Sequence, residues 1–338
     1  MHIEKNISLK PYNTFNIDVK AKYFVEVNDL SELKELLDDK NYISEKRLII
    51  GGGSNILFTK DFDGIVIKLN NSEIEKFNET DEEIFIKVDA GVEWDSFVKF
   101  CVDNGLRGVE NLSLIPGNVG AVPIQNIGAY GVEVKDIIES VNIVLLSDLG
   151  EKTYSNNECN FGYRNSIFKN ELKDKFVFTS VLFKLSKSNS INLDYSPLKN
   201  YFYGKNESKI TIEEVREAVI QIRTGKLPDP KIIGNAGSFF KNPIISKNQF
   251  DDLANIYKDL KGFPESNSDI KISAGWLIEK CGLKGKRIGD VGVHEKQALV
   301  IVNYGDTSGN KILEFSKMIQ KEVKNRFEID LINEVNIL

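Results

Sequence analysis

The amino-terminal region changes its pattern of apolar and polar positions from strand to helix and back. YFVEV (23 to 27) and RLII (47 to 50) have the apolar content of strands. Between them, Asp29 to Asp38 has the pattern of a helix, with Asp29 as N-cap and Glu32 three residues on. The apolar face of this helix is formed by Leu30, Leu33 and Leu37. The pattern predicts a small β-α-β domain over residues 1–70.

From about Gly64, segments typical of strands predominate. They are GIVIKL, EIFIKVDAG, SVNIVLL and FVFTSVLFKL. A predicted helix, Trp94 to Asn104, and a long glycine-containing stretch at 115–131 interrupt them. This mixture predicts a second, α+β domain over residues 71–208.

Two further helices are predicted by apolar residues at helical spacing. The first, Thr211 to Arg223, begins with a capping box formed by Thr211 and Glu214. The second spans about Asn310 to Phe327, with apolar positions at Ile312, Phe315, Ile319, Val323 and Phe327. We expect a third domain over residues 209–319, and we expect residues 320–338 to complete the first domain.

The last residues, 327–337, alternate between apolar and polar, which predicts a half-buried strand. On that strand Glu334 points away from the face that carries Leu331, Val335 and Ile337. An isolated glutamate in such a place is most often a solvated charge.

The composition is that of an ordinary globular protein and excludes several classes of function. Of the 338 residues, 41% are hydrophobic and 28% charged. No apolar run reaches the roughly 18 residues that span a membrane. The start, MHIEKNISLKPYNTF, lacks the apolar core of a signal peptide, so we expect a cytoplasmic protein. A net charge of −6 argues against nucleic acid as a partner.

Cysteine and histidine positions argue against a metal site. Cys101, Cys159 and Cys281 lie far apart and match neither a disulfide framework nor a metal-binding spacing. We expect each to be a buried apolar residue. His2 and His294 are the only histidines, so neither a histidine-rich metal site nor a Ser/His/Asp triad is expected.

The first stretch with candidate chemistry is GGGSNILF (51 to 58), which follows an apolar strand. Three glycines let a phosphate approach the backbone N–H groups closely. The stretch is not a P-loop, because no Gly-Lys-Ser/Thr follows. It is not a dinucleotide fingerprint either, because Ile56 holds the third glycine position. The alternative is a tight structural turn.

The second stretch, IPGNVGAVPIQNIGAYG (115 to 131), contains hardly a charge. Its glycines and prolines are Pro116, Gly117, Gly120, Pro123, Gly128 and Gly131. Such a segment is too irregular for a helix and too apolar for a solvated linker. It fits a loop around a flat apolar cofactor, and it fits a buried structural loop equally well.

The third stretch is TGKLPDPKIIGNAGSFFKNP (224 to 243). Its prolines predict an extended entry, and Gly234 and Gly237 give the backbone freedom around Ser238. Two phenylalanines exclude water beside this serine. No histidine lies nearby, so proton transfer suits the hydroxyl better than a nucleophilic role. An ordinary turn serine is the alternative.

Six blocks, in this order and at about this spacing, resemble the UDP-N-acetylenolpyruvoylglucosamine reductase (MurB) family. They are RLIIGGGSNILF, LSLIPGNVGAVPIQNIGAYGVE, FGYRNSIFK, TGKLPDPKIIGNAGSFFKNP, SAGWLIEKCGLKG and the closing NEV. The resemblance extends from NTF at 13 to the final strand. It implies a fold of the vanillyl-alcohol-oxidase type, in which two α+β domains bind FAD and a third α+β domain binds the substrate.

The resemblance also implies two cofactors, FAD and NADPH, and a nucleotide-sugar substrate, and we expect a monomer. The implied FAD-binding residues are Gly51, Gly52, Gly53, Ser54, Asn55, Ile56, Pro116, Gly117, Gly120, Ile127 and Arg223. The positive charge of Arg223 would favour the reduced flavin.

The implied substrate-binding residues are Tyr130, Tyr195, Lys226, Asn242 and Gln297. Tyr130 would lie beside the active site, and Gln297 would make a polar contact with the substrate. The other three would contact the diphosphate and the uridine. Tyr195 would belong to a loop that closes over the nucleotide, as in the first type of the family.

The implied reaction is a ping-pong reduction of an enolpyruvyl nucleotide sugar to UDP-N-acetylmuramate, a peptidoglycan precursor. NADPH reduces FAD and leaves, and the enolpyruvyl methylene carbon then receives the hydride. Arg164 would bind the substrate carboxylate, and Glu334 would help to stabilise charge at the α-carbon. Ser238 would protonate that carbon.

Two alternatives stay open at this point. A flavin oxidase of the same fold is one, although many such oxidases tether FAD through a histidine and neither His2 nor His294 lies in a glycine stretch. A non-enzymatic protein that binds nucleotide sugars is the other. It would leave the stretches at 51–58 and 115–131 without a role.

Overall fold

The structure is a computed structural model that describes residues 1–189, 191–265 and 268–338. The described residues form seven α-helices and twenty strands, so the architecture is α+β. The helices, in chain order, are α1 (Leu30–Asp38), α2 (Trp94–Asp103), α3 (Ser196–Tyr201), α4 (Ile212–Lys226), α5 (Lys247–Ile256), α6 (Ala274–Lys280) and α7 (Gly309–Phe327).

The strands are numbered β1 to β20 in chain order. They span Ile3–Ser8, Lys20–Val27, Arg47–Ile50, Ile56–Leu57, Phe62–Leu69, Ile74–Glu79, Glu83–Asp89, Gly128–Ala129, Val132–Glu133, Ile138–Leu145, Glu151–Ser155, Phe176–Ser186, Gly234–Ser238, Ile244–Ile245, Gly262–Pro264, Ile270–Ile272, Arg287–Ile288, Val291–Val293, Val300–Asn303 and Asn336–Ile337.

The chain divides into two compact units, each built from three segments. The first unit contains Met1–Ile7, Ala21–Gly52 and Asp63–Gly225. The second contains Ser8–Lys20, Gly53–Phe62 and Lys226–Leu338. The three-domain division that we expect from the sequence stays a prediction.

In the first unit, a four-stranded sheet has the order β1-β2-β5-β3, with β3 parallel to β5. The helix α1 begins where the sequence predicts it, since the Asp29 carboxylate accepts a 2.8 Å hydrogen bond from the N–H of Glu32. Its buried side chains belong to a core cluster with strand residues, which includes Leu33, Leu36, Leu37, Val25, Ile65 and Ile67. The predicted β-α-β segment is therefore confirmed.

A five-stranded antiparallel sheet, in the order β11-β10-β12-β7-β6, forms the second layer of the first unit. Val181 lies opposite Val141 on one side and Val88 on the other, and all three are fully buried. The helix α2 packs in the same core through Trp94, Phe97, Val98 and Cys101. Cys101 and Cys159 are buried there, as predicted.

The helix α4 begins with the predicted capping box. Thr211 Oγ1 accepts a hydrogen bond from the N–H of Glu214 at 3.3 Å, and the Glu214 carboxylate accepts one from the N–H of Thr211 at 3.1 Å. The predicted end at Arg223 is wrong, because the helix continues to Lys226. Residues 224–226 are thus helical and not part of an extended entry. A single glycine costs only about 1 kcal/mol in a helix, whereas Pro228 disfavours the helical conformation at the residue before it.

The second unit contains a four-stranded sheet, β13-β19-β18-β17, and a three-stranded sheet, β14-β16-β15, in which all paired strands are antiparallel. In a third sheet, β20 runs parallel to β4. The long helix α7 buries the apolar stripe that its spacing predicts, formed by Ile312, Phe315, Ile319, Val323 and Phe327. The elements that the sequence does not predict are the helices α3, α5 and α6 and the strands β1, β4, β6, β8, β9, β11 and β13 to β19.

The predicted continuous strand over residues 327–337 is wrong. The helix α7 ends at Phe327, Glu328 adopts a left-handed conformation with φ 59°, and regular strand structure is confined to β20. The alternation of burial is nevertheless present, since Ile329, Leu331 and Val335 are buried. The segment pairs first with residues 239–241 and then with residues 55–59, so no single partner strand supports a continuous ladder.

Cys281 differs from the prediction because it is only partly buried. It follows the last residue of α6 and so leaves the packed face of that helix. In the described part of the chain, no helix has both the length and the apolar character that crossing a membrane requires.

Candidate active site

Two glycine stretches meet in the first unit. A Cβ atom on Gly51 would lie 2.6 Å from Oδ1 of Asn118, and one on Gly52 would lie 3.5 Å from Cα of Gly117. The Asn118 side chain is itself fixed, because its Nδ2 donates a 2.5 Å hydrogen bond to the carbonyl oxygen of Gly91. The structure therefore brings together two stretches that the sequence identifies separately as candidates for cofactor binding.

The start of α2 supports the second of these stretches. The N–H of Trp94 donates to the carbonyl oxygen of Gly117 at 2.9 Å, and the indole Nε1 donates to that of Leu112, also at 2.9 Å. Gly117, which follows Pro116, has φ +118°, a value that side chains strongly disfavour. A Cβ on Gly120 would lie 2.7 Å from that of Ala90. Backbone conformation at position 117 and packing at position 120 thus favour glycine, whatever ligand is bound.

Tyr130 and Gly131 form the turn between β8 and β9. Both have positive φ, at 50° and 83°, which makes this a two-residue hairpin loop of type I′. A tyrosine rarely adopts that conformation, and such strain is often found at functional sites. Asn111 holds the turn in place, because its Nδ2 donates 2.9 Å hydrogen bonds to the carbonyl oxygens of Tyr130 and Asn192. Ile127, just before β8, is buried.

Arg164 is attached to the same hairpin. Its Nη2 donates a 2.8 Å hydrogen bond to the carbonyl oxygen of Gly128, and Nη1 lies 3.4 Å from that of Asn126. Arg164 also has a positive φ, of 51°. The predicted catalytic Arg164 and the predicted substrate residue Tyr130 therefore belong to one local arrangement in the first unit.

Tyr130 also contacts Tyr195 and Arg223. The rings of the two tyrosines meet edge to face with centroids 5.5 Å apart. Burial raises the pKa of the Tyr130 phenol, while the neighbouring Arg223 acts to lower it. Burial lowers the pKa of the Arg223 guanidinium, and hydrogen bonding to Tyr130 together with the charge of Asp95 acts to raise it. Tyr130 thus touches two other residues that the sequence assigns to cofactor or substrate.

In the second unit, Gly53 fixes the path of the chain after the first two glycines. It has φ +60°, and a Cβ there would lie 2.0 Å from the carbonyl oxygen of Tyr12. After Ser54, the side chain of Asn55 donates to the carbonyl oxygen of Glu334 at 3.3 Å. Ile56 then begins β4, whose partner strand β20 follows Glu334. The predicted cofactor segment 53–56 therefore lies along the chain segment that carries the predicted catalytic glutamate.

Ser238 is the last residue of β13 and lies opposite Val300 of β19. The register shifts between Asn235 and Ser238, which is a β-bulge, and Gly237 within it has φ +66°. Bulges redirect side chains and occur frequently beside active sites. Phe239, the next residue, is fully buried, whereas Ser238 is only partly buried. The phenylalanines thus fix the strand in the core while the bulge determines the direction of the serine.

Asn242 and Gln297 flank the start of α6. Asn242 Oδ1 accepts a 3.0 Å hydrogen bond from the N–H of Ala274. Gln297 Oε1 lies 3.5 Å from the position that a Cβ on Gly275 would occupy. Lys226 ends α4 and is exposed, and within the described residues nothing joins it to these two side chains.

Three residues of this arrangement are not identified from the sequence, namely Asn111, Asp95 and Arg216. Asn111 is 1% exposed, but it is one of three polar residues in VENLSLIPG, so the sequence alone does not distinguish it from Glu110 and Ser113. Asp95 and Arg216 form an ion pair across 121 positions of sequence. Local patterns carry no information about such a pair.

Known proteins are similar to this chain along its whole length. Residues 229–338 match the family model of the UDP-N-acetylenolpyruvoylglucosamine reductase C-terminal domain, and residues 21–150 match that of a FAD binding domain. The UDP-N-acetylenolpyruvoylglucosamine reductase of Flavobacterium johnsoniae is 49% identical, with 100% of each chain covered. That of Pseudomonas aeruginosa is 40% identical, with 100% of this chain and 99% of the relative covered.

A solved structure agrees with these relatives. The crystal structure of UDP-N-acetylenolpyruvylglucosamine reductase (MurB) from Thermus caldophilus matches with a TM-score of 0.70 at 25% identity, covering 100% of this chain and 99% of that one. Full-length identity of 40% to 49% and a common fold lead to one conclusion. The chain belongs to the UDP-N-acetylenolpyruvoylglucosamine reductase (MurB) family.

Proposed function

We propose that this protein reduces UDP-N-acetylglucosamine enolpyruvate to UDP-N-acetylmuramate with NADPH, by means of bound FAD. The observation that carries the proposal is the contact of Gly52 with Gly117 in the first unit, within a chain of this family. Two glycine-containing segments in contact present backbone N–H groups without side chains, which suits a pyrophosphate. The relatives' names specify the enolpyruvyl nucleotide sugar as the substrate.

A second observation in the first unit, at Arg223, also supports FAD binding. In the described part of the chain, the Nε atom of Arg223 is buried without a hydrogen-bond partner. A buried donor in that state costs about 1–3 kcal/mol, and an acceptor on a bound ligand would remove the cost. A flavin ring carries such acceptors. We assign FAD to Arg223 and to Gly51, Gly52, Pro116, Gly117, Gly120 and Ile127, and the resemblance to the family adds residues 53–56.

When bound, FAD would supply the redox chemistry, which is hydride transfer from NADPH to the methylene carbon of the substrate. The protein's own residues position the substrate and manage charge and protons. Hydride addition leaves negative charge on the α-carbon, delocalised into the carboxylate. That charge has to be stabilised before the carbon is protonated.

Arg164 binds the substrate carboxylate in this proposal. Its guanidinium is already oriented by the carbonyl oxygen of Gly128, 2.8 Å from Nη2. A guanidinium has five N–H donors in a rigid fork, so it can hold carbonyl oxygens and a carboxylate together. Pre-orientation of this kind reduces the entropy that is lost on binding.

Glu334 shares in stabilising the charge at the α-carbon. A carboxyl group does this only as a hydrogen-bond donor, so the proposal requires Glu334 to be protonated at that step. Two hydrogen bonds fix the main chain of Glu334. Its N–H donates to the carbonyl oxygen of Phe239 at 2.8 Å, and its own carbonyl oxygen accepts from the side chain of Asn55.

Ser238 donates the proton to the α-carbon. A hydroxyl is a weak acid towards water, but it suffices for a carbanion when it is oriented and kept dry. The bulge at Gly237 and the buried Phe239 supply that orientation. Tyr130, Tyr195, Lys226, Asn242 and Gln297 then contact the rest of the nucleotide sugar.

Two steps with the purified protein test the proposal. Acid precipitation should release FAD into the supernatant, whereas flavin that stays with the precipitate would indicate an oxidase with a tethered cofactor. Anaerobic NADPH should then bleach the flavin of the native protein, and the enolpyruvyl substrate should restore its colour. A parallel titration with NADH measures the preference for NADPH. A protein that binds the nucleotide sugar but no FAD would contradict the proposal and favour a non-enzymatic binding protein.

A further inference from the structure

The carboxylate of Asp95 joins two elements that carry proposed FAD-binding residues. It accepts two hydrogen bonds from Arg216, each 2.8 Å long, in a bidentate arrangement. A third, of 2.5 Å, comes from the backbone N–H of Leu114. Leu114 directly precedes the stretch 115–131, and Arg216 lies on α4, the helix that carries Arg223. Asp95 thus links the stretch to the helix.

The helix α4 is attached to that stretch at two places. Arg216 and Arg223 are seven residues apart, which is about two helical turns, so both side chains leave the same face. The separation along the axis is roughly 10 Å. Arg216 is held at the beginning of the stretch through Asp95, and Arg223 hydrogen-bonds Tyr130 near its end. The position of Arg223 therefore depends on where the Asp95–Arg216 ion pair holds α4.

The attachment is stronger than an ordinary surface ion pair. The side chains of Arg216 and Asp95 are only 13% and 22% exposed. Burial by itself would raise the pKa of Asp95, but the hydrogen bonds from Arg216 and Leu114 outweigh it and lower the pKa below its usual value. The carboxylate is therefore charged at neutral pH. Its bond to Leu114 also helps to hold that residue at φ +58°, which is unfavourable for a leucine.

We propose that Asp95 is a positioning residue for FAD, which sets the place of α4 through Arg216 and thereby holds the Arg223 guanidinium beside the flavin. This inference rests on the proposed function, in which Arg223 contacts FAD. A correctly placed positive charge favours reduced over oxidised FAD, so loss of the attachment should lower the reduction potential of the bound cofactor.

Two variants separate position from charge. Arg216→Lys keeps the charge but removes the bidentate fork, and Asp95→Glu keeps the charge but moves the carboxylate by one methylene. Each should weaken the binding of reduced FAD relative to oxidised FAD about tenfold, which lowers a two-electron potential by about 30 mV. In an Arg223→Gln background, Arg216→Lys should have no further effect on the potential.

Matched controls come from the same helix as Asp95. Asp103→Asn removes a carboxylate from the exposed ion pair with Lys99, near the other end of α2. Val98→Ala destabilises the core around α2 without touching the ion pair. Both should leave the potential of bound FAD at the wild-type value, although Val98→Ala lowers the melting temperature.

The measured quantities are the midpoint potential and the dissociation constant of FAD for the apoprotein. If Arg216→Lys and Asp95→Glu lower the melting temperature but leave the potential unchanged, as Val98→Ala does, the pair is merely structural and the inference is wrong. An undiminished effect of Arg216→Lys in the Arg223→Gln background would also overturn it. If the wild-type protein does not bind FAD, the proposed function is wrong. That outcome differs from an unchanged potential in the variants, which contradicts only the role of Asp95.

Discussion

The backbone N–H of Glu334 donates a 2.8 Å hydrogen bond to the carbonyl oxygen of Phe239, the residue that follows Ser238. The pairing continues on either side, since Phe240 forms a β-bridge with Asn333 and the N–H of Lys241 donates to the carbonyl oxygen of Ile332. Two proposed catalytic residues of the second unit are thus carried by paired backbone segments. A change that displaces one segment necessarily alters the other.

The glycine triplet provides a test in which protein stability and cofactor binding separate. In Gly52→Ala the new methyl group has room, because the nearest protein atom is 3.5 Å away and Gly52 does not have positive φ. The stability of the apoprotein should stay within about 0.5 kcal/mol of wild type. The affinity for FAD should fall, because the methyl group would occupy the space that the proposed function assigns to the pyrophosphate.

Gly53→Ala is the matched comparison. Its methyl group would lie 2.0 Å from the carbonyl oxygen of Tyr12, and φ is +60°. We expect a loss of about 2 kcal/mol or more in the free energy of unfolding. Calorimetric melting of the apoproteins and FAD titration measure both effects. Normal FAD affinity in Gly52→Ala would show that no phosphate approaches this glycine.

The parts of the fold that depend on neighbouring residues could be predicted. Caps at Asp29 and Thr211 are confirmed because a capping side chain bonds the backbone three residues away. The helical stripe of α7 is confirmed because its period is a property of the helix itself. The contact between the glycine stretches at 51–52 and 117–118 is not predictable in this way, although each stretch can be identified by itself.

The candidate site shows the same limit. The bulge before Ser238 arises from a register shift between β13 and β19, which the sequence of one strand does not specify. The predicted strand at 327–337 fails because its partner changes from residues 239–241 to residues 55–59, a tertiary effect. Asp95 has no local feature that separates it from a solvated carboxylate in the first turn of a helix. Its role depends on Arg216, 121 positions away.

Arg164→Lys should reduce turnover although it conserves charge. A compact ammonium group cannot reproduce a planar, two-pronged contact with a carboxylate while also holding Gly128. Loss of one charge-assisted hydrogen bond of about 1.5–3 kcal/mol corresponds to a roughly 10- to 100-fold slower reoxidation of reduced flavin by the substrate. Arg107→Lys is the control, since Arg107 also donates to a carbonyl oxygen, that of Asn189. Reoxidation at the wild-type rate in Arg164→Lys would remove this residue from the carboxylate site.

Lys226→Ala should weaken binding of the uridine diphosphate part and leave the FAD content normal. Lys226 is an exposed cation in a protein of net charge −6, so its contribution to an anion's affinity is of the order of 1 kcal/mol, or about fivefold. The difference from wild type should shrink at high salt because counter-ions screen an exposed charge. Lys231→Ala, an exposed lysine five residues further on, serves as the control. Equal UDP affinity in wild type and Lys226→Ala at low and high salt would contradict this role.

Ser238→Ala separates the two half-reactions. The variant should bind FAD and be reduced by NADPH at the normal rate, because that step needs no proton on the substrate. Oxidation of the reduced flavin by the enolpyruvyl substrate should slow by about 10²- to 10⁴-fold, the usual loss for a positioned acid. Ser238→Cys should retain more activity than Ser238→Ala, since a thiol can still donate a proton. Stopped-flow absorbance under anaerobic conditions measures each half-reaction by itself.

A second serine of the same region tests whether the effect belongs to the hydroxyl at position 238. Ser246 caps α5, accepting a hydrogen bond from the N–H of Gln249. Ser246→Ala should therefore cost about 1 kcal/mol of stability and leave both half-reactions unchanged. If Ser238→Ala instead slows reduction by NADPH and leaves reoxidation intact, Ser238 positions the cofactor. The α-carbon must then take its proton from another group, and the bulge at Gly237 would serve FAD binding instead of proton transfer.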